Sequence, residues 1–209
     1  MRPGVFFAPG FSPARRCCHT EGTMSSTHNT PLLVVGLGNP GPKYRGTRHN
    51  LGHVVLDELC SRFPQATFAV HKRSRALVAQ ARTAPGARGR ALVMAKPSSL
   101  MNVSGAQVRA LSDFFRVPAA SILVVHDDLE LPLGTVEARP GGGDRGHNGL
   151  RSITKALGTK DYVRISCGIG RPPGRMDPAS FVLKPFSRRE ASELPVLAAH
   201  AADLIEERF

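Results

Sequence analysis

A run of apolar residues at positions 32–37, Leu-Leu-Val-Val-Gly-Leu, has the length and composition of a strand that is buried on both faces. Such strands belong to sheets that carry helices on both sides. A helix is predicted next, from about Asn50 to near Pro64. Its apolar residues recur on one face of a 3.6-residue period: Leu51, Val54, Val55 and Leu59. A buried strand followed by an amphipathic helix favours an α/β domain.

The alternation of strand and helix continues along the chain. Further strands are predicted at 76–81, 91–95, 122–126, 135–139 and 162–169, and further helices at 98–115, 148–157 and 187–208. The last helix opens with a capping-box spacing from Ser187 to Glu190, and Pro195 should kink or divide it. This order predicts a single three-layer α/β domain over residues 31–209, with a mixed, partly parallel central sheet flanked by helices. Ligands of such sheets bind beyond the carboxyl ends of the strands.

The chain is strongly basic, with 28 Lys and Arg against 16 Asp and Glu and a net charge of +12. Twenty-two of the basic residues are Arg, whose planar fork suits bidentate contacts with phosphate. The excess favours a polyanionic partner, although a GC-rich coding sequence would also raise the Arg content. No run reaches the ~18 apolar residues that a membrane-spanning helix requires. We therefore expect no membrane partner.

Residues 1–30 show no sustained periodicity and contain three Arg and one acid. They resemble a mitochondrial presequence, or they are an unstructured extension. A start at Met24 would remove most of this basic tail. We expect a mitochondrial or a cytoplasmic protein, with mitochondria favoured for the full-length chain. The four cysteines form no C-x-x-C pair, which is typical of a reduced compartment.

Polar side chains recur where the predicted strands end and where the next helices begin. They are Asn39, His49, Asn102, Asp127 and Asn148. Each residue could separately be a helix or turn cap. A His, an Asp and three Asn at the strand ends of one sheet nevertheless form a group that capping does not require. The group suits attack of a water molecule assisted by His, with side-chain amides to hold a carbonyl and the water.

Three other chemistries fit the spacing less well. Segment 36–41 satisfies G-x-G-x-x-G, but Pro40 and Pro42 prevent it from leading directly into a helix that could meet a dinucleotide. His49 and His53 form an H-x-x-x-H pair without the Glu of zinc proteases. No Ser lies in a G-x-S-x-G elbow. We expect neither a cofactor nor a metal.

Four segments together resemble the signature set of the bacterial-type peptidyl-tRNA hydrolase family, and the match in order and spacing covers about Leu32 to Leu204. The segments are Gly36–Asn50, Met101–Gly105, His126–Leu129 and Gly141–Leu150. The resemblance implies a single α/β domain that hydrolyses the ester between a peptide and the 3′ end of tRNA without a metal. The basic N-terminal extension suggests a eukaryotic or organellar member.

The resemblance also implies roles for individual residues. His49 matches the general base, Asp127 the carboxylate that orients it, and Asn39 a residue that holds the peptide and ester end. Matches to the substrate site are Tyr44, Met101, Asn102 and Asn148. Within that set Asn148 matches the residue that positions the water, and Met101 matches an apolar gate beside the cleft.

A clamp for the tRNA phosphate is implied by the same resemblance. Arg139 matches the family's basic position beside the glycine-rich loop. Ser166 occupies the second position that is usually basic, so Arg164, two residues earlier on the same strand face, is the nearest substitute. We expect a monomer whose partner is peptidyl-tRNA, either free or in ribosome–nascent-chain complexes.

The main alternative function is a non-enzymatic, basic RNA-binding module, which the net charge would serve equally well. Such a module needs no His–Asp pair. In addition, the chain has only 6% aromatic residues and no Trp with which to stack bases.

Overall fold

The structure is a computed structural model that describes residues 30–84 and 89–209. In these ranges seven strands form one sheet, in the order β2-β3-β4-β1-β5-β7-β6. The strands are β1 (Leu32–Gly36), β2 (Ala69–Val70), β3 (Leu77–Arg82), β4 (Ala91–Lys96), β5 (Ile122–Asp128), β6 (Val136–Pro140) and β7 (Val163–Gly168). Most of the predicted extension, including the alternative start at Met24, lies outside the described residues.

The apolar run forms β1 at the centre of the sheet. β1 is parallel to both of its neighbours, β4 and β5, and β5 is parallel to β7. The outer strands β2, β3 and β6 are antiparallel to the strands beside them. The prediction of a mixed, partly parallel sheet is therefore confirmed. The carboxyl ends of β1, β4, β5 and β7 share one edge of the sheet.

Helices cover both faces of the sheet. They are α1 (Leu51–Ser61), α2 (Ser104–Phe115), α3 (Asn148–Leu157), α4 (Pro178–Val182), α5 (Arg188–Ala191) and α6 (Leu194–Glu206). Val34 of β1 packs in one buried cluster with α1 and α6, whereas its neighbours Leu33 and Val35 pack in a second cluster with α2 and α3. Consecutive residues of a strand point to opposite faces, which is how one apolar run supports two helical layers. In the described ranges no helix is both long and apolar enough to cross a membrane.

Two glycines bring the first helix directly against the central strand. A Cβ atom on Gly36 would lie 2.3 Å from the carbonyl oxygen of Gly52, and one on Gly52 would lie 2.6 Å from the carbonyl oxygen of Val125. Neither contact leaves room for a side chain. The close approach fixes the N-terminus of α1 beside the carboxyl ends of β1 and β5.

The structure differs from the sequence prediction in the start of α2 and in two short elements, β2 and α4, and it agrees in the division of the last helix. The helix predicted from Ser98 begins only at Ser104, after a 3-10 turn, and Gln107 reaches back to accept a hydrogen bond from the N–H of Ser98. The C-terminal helix is divided into α5 and α6, with Pro195 in the first turn of α6. This division and the capping box at Ser187 were predicted. The two-residue strand β2 and the short helix α4 were not.

Candidate active site

The polar strand ends meet in one open cleft of about 850 Å³. This volume is typical of sites that enclose a small ligand. The cleft is lined by all seven residues that were predicted to be catalytic or to hold substrate: Asn39, Tyr44, His49, Met101, Asn102, Asp127 and Asn148. The topology therefore brings together residues that are up to about a hundred positions apart in the chain.

His49 and Asp127 form a hydrogen-bonded pair in this cleft. His49 lies in a 3-10 turn that leads into α1, and Asp127 lies near the end of β5. Nδ1 of His49 is 2.9 Å from Oδ1 and 3.1 Å from Oδ2 of Asp127. The two side chains are 11% and 2% exposed, so the carboxylate is shielded from water while the imidazole still reaches it. Because Nδ1–H donates to the carboxylate, Nε2 is the nitrogen that can accept a proton from a ligand.

A second imidazole, that of His147, donates to the same carboxylate. Its Nε2 is 3.1 Å from Oδ1 of Asp127. Its Nδ1 caps α3 by accepting hydrogen bonds from the N–H groups of Gly149 and Leu150, at 3.1 and 3.4 Å. These partners fix the tautomer with the proton on Nε2. His147 is not among the site residues predicted from the sequence; its position at a helix start beside Asn148 was the available signal.

Asp127 is an ionised carboxylate although it is buried. Burial alone would raise the pKa of its carboxyl group, but the charges that His49 and His147 can carry, together with their hydrogen bonds, hold that pKa well below its ordinary value. Asp127 therefore remains an acceptor for both N–H groups at neutral pH. A constant acceptor keeps the His49 ring in one orientation.

His126 adds a third buried ring to the cleft, and burial keeps it neutral. Nδ1 donates to the backbone carbonyl of Asp127 at 2.8 Å, and Nε2 accepts from the hydroxyl of Ser166 at 3.1 Å. Burial, followed by the nearby His147, lowers the pKa of His126 to about 4. Ser166, which occupies the position expected to be basic, thus satisfies a buried ring nitrogen.

Asn39 is held in place by two segments. Its backbone N–H and carbonyl both bond to the side chain of Asn50, each at 2.9 Å. Its side-chain oxygen accepts the backbone N–H of Met101 at 2.8 Å. With Oδ1 occupied, the amide NH₂ of Asn39 is the group left to donate to a ligand. The amide is therefore suited to binding a carbonyl oxygen or an oxyanion.

The remaining predicted substrate residues line the cleft more loosely. Asn102 and Asn148 are exposed, and no side-chain hydrogen bond joins either one to another residue in the described ranges. Met101 is 4% exposed and Tyr44 is half-buried. Two free amides beside an apolar wall can bind polar groups of a ligand without adding a titratable group.

His49, Asp127 and His147 offer donor atoms that all lie within 4.8 Å of one another, a spacing that could suit a metal ion. A metal bound to these atoms would have to displace both imidazole protons that now bond to Asp127, and the other ring nitrogen of His147 caps α3. His53 is not part of this group. It lies against Gly38, and burial, followed by Lys96, lowers the pKa of His53 to about 4. The H-x-x-x-H pair is therefore not a joint ligand set.

Arg48, directly before His49, joins the 3-10 turn of His49 to the C-terminal part of the chain. Its guanidinium lies against the rings of Phe181 and Phe186, with its central carbon 4.2 and 5.1 Å from their centroids. It donates to both carboxylate oxygens of Glu190, at 2.7 and 2.8 Å, and to the carbonyl of Pro185 at 2.8 Å. We call these five residues the Arg48 cluster. The cluster was not predicted, because Arg48 is far from the other four members in the chain.

The two predicted phosphate-binding arginines lie outside the cleft and directly opposite each other across β6 and β7. The side chain of Arg139 is 51% exposed and forms an ion pair with Glu137. Arg164 is 5% exposed, lies against Tyr162 and donates to the carbonyl of Gly142 at 2.8 Å. Its Nε and one terminal nitrogen have no partner among the described residues. Unpaired buried N–H groups of a cation favour an anionic ligand.

Comparison with known proteins points to one family. The family model described as Peptidyl-tRNA hydrolase matches residues 33–209. The chain is 60% identical over 182 residues to "Peptidyl-tRNA hydrolase 1" of Corynebacterium glutamicum, covering 87% of this chain and 98% of that protein. It is 55% identical over 176 residues to "Peptidyl-tRNA hydrolase" of Mycobacterium bovis, covering 84% and 90%. These relatives are bacterial, so the expectation of a eukaryotic or organellar member is not supported.

A solved structure gives the same result for the fold. The crystal structure of peptidyl-tRNA hydrolase from Acinetobacter baumannii superposes with a TM-score of 0.76 at 30% identity, covering 85% of this chain and 88% of that one. The prediction of the fold class is therefore confirmed by an independent structure as well as by the sheet order.

Proposed function

The chain belongs to the peptidyl-tRNA hydrolase family and hydrolyses peptidyl-tRNA, and we propose that it does so by attack of a water molecule activated by His49. The observation that carries the proposal is the His49–Asp127 hydrogen bond of 2.9 Å in a cleft lined by three Asn side chains. The alternative of a non-enzymatic RNA-binding module is not supported, because the relatives are named as hydrolases.

In the proposed mechanism, Nε2 of His49 takes a proton as the oxygen of the water attacks the carbonyl carbon of the ester. Asp127 accepts from Nδ1–H throughout and stabilises the imidazolium that forms. The bond between the carbonyl carbon and the 3′ oxygen of tRNA then breaks, and His49 returns the proton to that oxygen. The products are a peptide with a free carboxyl group and a tRNA with a free 3′ hydroxyl.

In this mechanism the side-chain amides of three Asn residues bind the ester carbonyl oxygen, the attacking water and the peptide. The free NH₂ of Asn39 donates to the ester carbonyl as negative charge develops there, which lowers the barrier more than it strengthens ground-state binding. Asn148 positions the water, and Asn102 holds the peptide side of the ester. Met101 and Tyr44 provide the wall against which the aminoacyl group packs. A metal is not required, because an ester leaving group needs only one positioned base.

His49→Ala should abolish turnover while tRNA affinity stays nearly intact, because a general base acts in the transition state and supplies about 10² to 10⁴-fold. Asp127→Asn should lower kcat less. The measurement is release of peptide from an acylated aminoacyl-tRNA, with binding of deacylated tRNA measured in parallel. A His49→Ala enzyme within about threefold of the wild-type kcat would overturn the mechanism, because that loss is far below the contribution of a base.

We further propose that Arg139 and Arg164 bind a phosphate at the acceptor end of the tRNA. The support is their direct opposition across two strands and the unpaired N–H groups of Arg164. The carbonyl of Gly142, to which Arg164 donates, belongs to the loop that leads to His147 and Asn148. A phosphate bound there would set the position of the substrate relative to the cleft.

Arg139→Ala tests this clamp. It should weaken tRNA binding by about 1 to 3 kcal/mol, the range for a charge-assisted bond, and lower the salt dependence by about one unit of slope. Arg139→Lys should retain part of the affinity and serves as the matched control. Hydrolysis of a short peptidyl ester that lacks the acceptor stem should be unchanged. Equal losses on both substrates would assign Arg139 to the fold instead.

We propose that the enzyme works as a monomer, because residues of one chain line the whole candidate site. Bacterial relatives favour the cytoplasm over mitochondria as its compartment. Its substrate is free peptidyl-tRNA, and ribosome–nascent-chain complexes are a second source of the same ester. Analytical ultracentrifugation tests the monomeric state, and co-sedimentation with ribosomes tests the ribosome-bound source of substrate. Imaging of the full chain beside a form that starts at Met24 tests the compartment.

A further inference from the structure

The turn that joins β2 to β3 is ordered and strongly basic. A hydrogen bond of 2.7 Å from the N–H of Arg75 to the carbonyl of His71 closes its backbone. The side chains of Lys72, Arg73 and Arg75 are exposed, and within the described ranges none of them forms an ion pair or a side-chain hydrogen bond. Three uncompensated positive charges are therefore held on one short turn.

An exposed aromatic ring lies beside these charges. Phe114, near the end of α2, is 48% exposed. His71 contacts it edge-on with ring centroids 4.6 Å apart, and Phe115 does so at 4.9 Å. These contacts hold the ring in place and leave about half of it in water. An exposed ring on a basic surface suits stacking with an unpaired base.

Two arginines of this surface occupy backbone positions that favour glycine. Arg75 has φ 60°, and Arg116, which follows the last residue of α2, has φ 54°. In the described part of the chain only one other non-glycine residue, Arg145, has positive φ. Glycine adopts this conformation without steric penalty and is the usual residue at such a helix end. The chain therefore carries a cation at two positions where glycine would be less strained.

The basic turn lies on the opposite side of the cleft from the proposed clamp. Leu77, the first residue of β3, pairs with Lys96 at the carboxyl end of β4, so the turn lies at the same edge of the sheet as the cleft. Arg139 and Arg164 lie on β6 and β7, beyond β5 on the other side of β1. An RNA that fills the cleft and the clamp does not by itself account for this second surface.

We propose that a basic patch formed by Lys72, Arg73, Arg75, Arg116 and Phe114 binds an unpaired RNA segment, with its phosphates on the cations and one base on the ring. The proposal rests on the proposed function, because it concerns the RNA to which the ester is attached or the ribosomal RNA near it. The ring distinguishes this partner from an acidic protein, which would use the charges alone. The two sources of RNA share the same chemistry and are separated by experiment.

The test uses the double variant Arg75→Gly/Arg116→Gly. It removes two charges and also relieves the backbone strain that a non-glycine residue has at positive φ. The melting temperature should be unchanged or higher, so that lost binding cannot be attributed to unfolding. The matched control is Arg188→Gln/Arg189→Gln, which removes the same charge from two exposed residues of α5. Three probes are used: deacylated full-length tRNA, an acceptor-stem minihelix with a CCA end, and ribosomes.

The glycine variant should bind full-length tRNA or ribosomes about tenfold more weakly, with a salt slope lower by about two units, and should bind the minihelix normally. Loss on tRNA identifies a loop of the substrate as the ligand, and loss on ribosomes alone identifies ribosomal RNA. Phe114→Leu should reproduce part of the loss of binding, and Phe114→Tyr, which keeps an aromatic ring, should bind as the wild type does. The short peptidyl ester should be hydrolysed at the wild-type rate by all these variants.

Unchanged binding of both tRNA and ribosomes would overturn the proposal. An equal loss in the Arg188→Gln/Arg189→Gln control would do the same, because it would show that only net charge matters. Tighter binding to polyglutamate than to RNA would assign the patch to an acidic protein. None of these measurements depends on turnover, so they remain interpretable if the His49 mechanism fails.

Discussion

His147→Asn should keep one of the two contacts that His147 makes and remove the other. Asn is a strong N-cap and can still accept from the first N–H groups of α3. It is too short to reach Asp127, which His147 contacts through the far nitrogen of its ring. His147→Ala removes both contacts. Comparison of the two variants therefore separates the helix cap from the contact with the carboxylate.

The magnitudes follow from these contacts. Loss of a cap costs about 1 kcal/mol, so the free energy of unfolding of His147→Ala should be about 1 kcal/mol lower than that of His147→Asn. A hydrogen bond to a charged group contributes about 1.5 to 3 kcal/mol. If half of it is expressed in the transition state, kcat/KM should fall roughly four- to thirteenfold in both variants.

The assay is hydrolysis of peptidyl-tRNA between about pH 5 and 9, the range in which an imidazole titrates, beside urea unfolding of the same preparations. Wild-type activity across this range in His147→Asn would refute the role assigned to the contact with Asp127. Activity lost in His147→Ala but kept in His147→Asn would mean that only the cap matters.

The free energy of unfolding should decrease as the pH falls from about 6.5 to 4, because His53 and His126 are buried with pKa values lowered to about 4 and the unfolded chain takes up protons that the folded chain does not. The slope is at most about 1.4 kcal/mol per pH unit for each ring. Urea unfolding at several pH values measures this slope, and His53→Leu should remove the contribution of one ring. A free energy of unfolding that does not change with pH would contradict the prediction. EDTA should leave hydrolysis unchanged once the Mg²⁺ that folds tRNA is restored, and added Zn²⁺ should inhibit by competing for His49 and Asp127. Inactivation that only a transition metal reverses would contradict the metal-free scheme.

The predictions from sequence succeed where the cause is local. The apolar run at 32–37 was predicted as a buried strand from its composition, and Pro195 was predicted to divide the last helix from its missing N–H. The rule that ligands gather at the carboxyl ends of parallel strands placed His49 and Asp127 at one edge of the sheet, whereas their pairing was implied only by the family resemblance.

The features that were missed depend on contacts across the fold. Nothing near His147 in the sequence indicates that its ring will meet Asp127, 20 positions earlier. The side chain of Gln107 accepts from the N–H of Ser98, nine positions earlier, and this contact was not predicted either. Sequence spacing alone does not indicate such partners, because several side chains could satisfy the same group.

The Arg48 cluster has a consequence for the moment at which the enzyme becomes active during its own synthesis. Arg48 and Glu190 are 142 residues apart, so the anchor of the catalytic turn is made about 7 to 28 s after the turn itself, at bacterial rates of elongation of roughly 5 to 20 residues per second. Until then the guanidinium also lacks Phe181 and Phe186, so it stays in water and the turn has nothing to hold it against the C-terminal segment. While it is being made, this chain is itself a peptidyl-tRNA. Its catalytic turn is thus completed only late in translation, which delays the risk that the nascent enzyme releases itself or its neighbours.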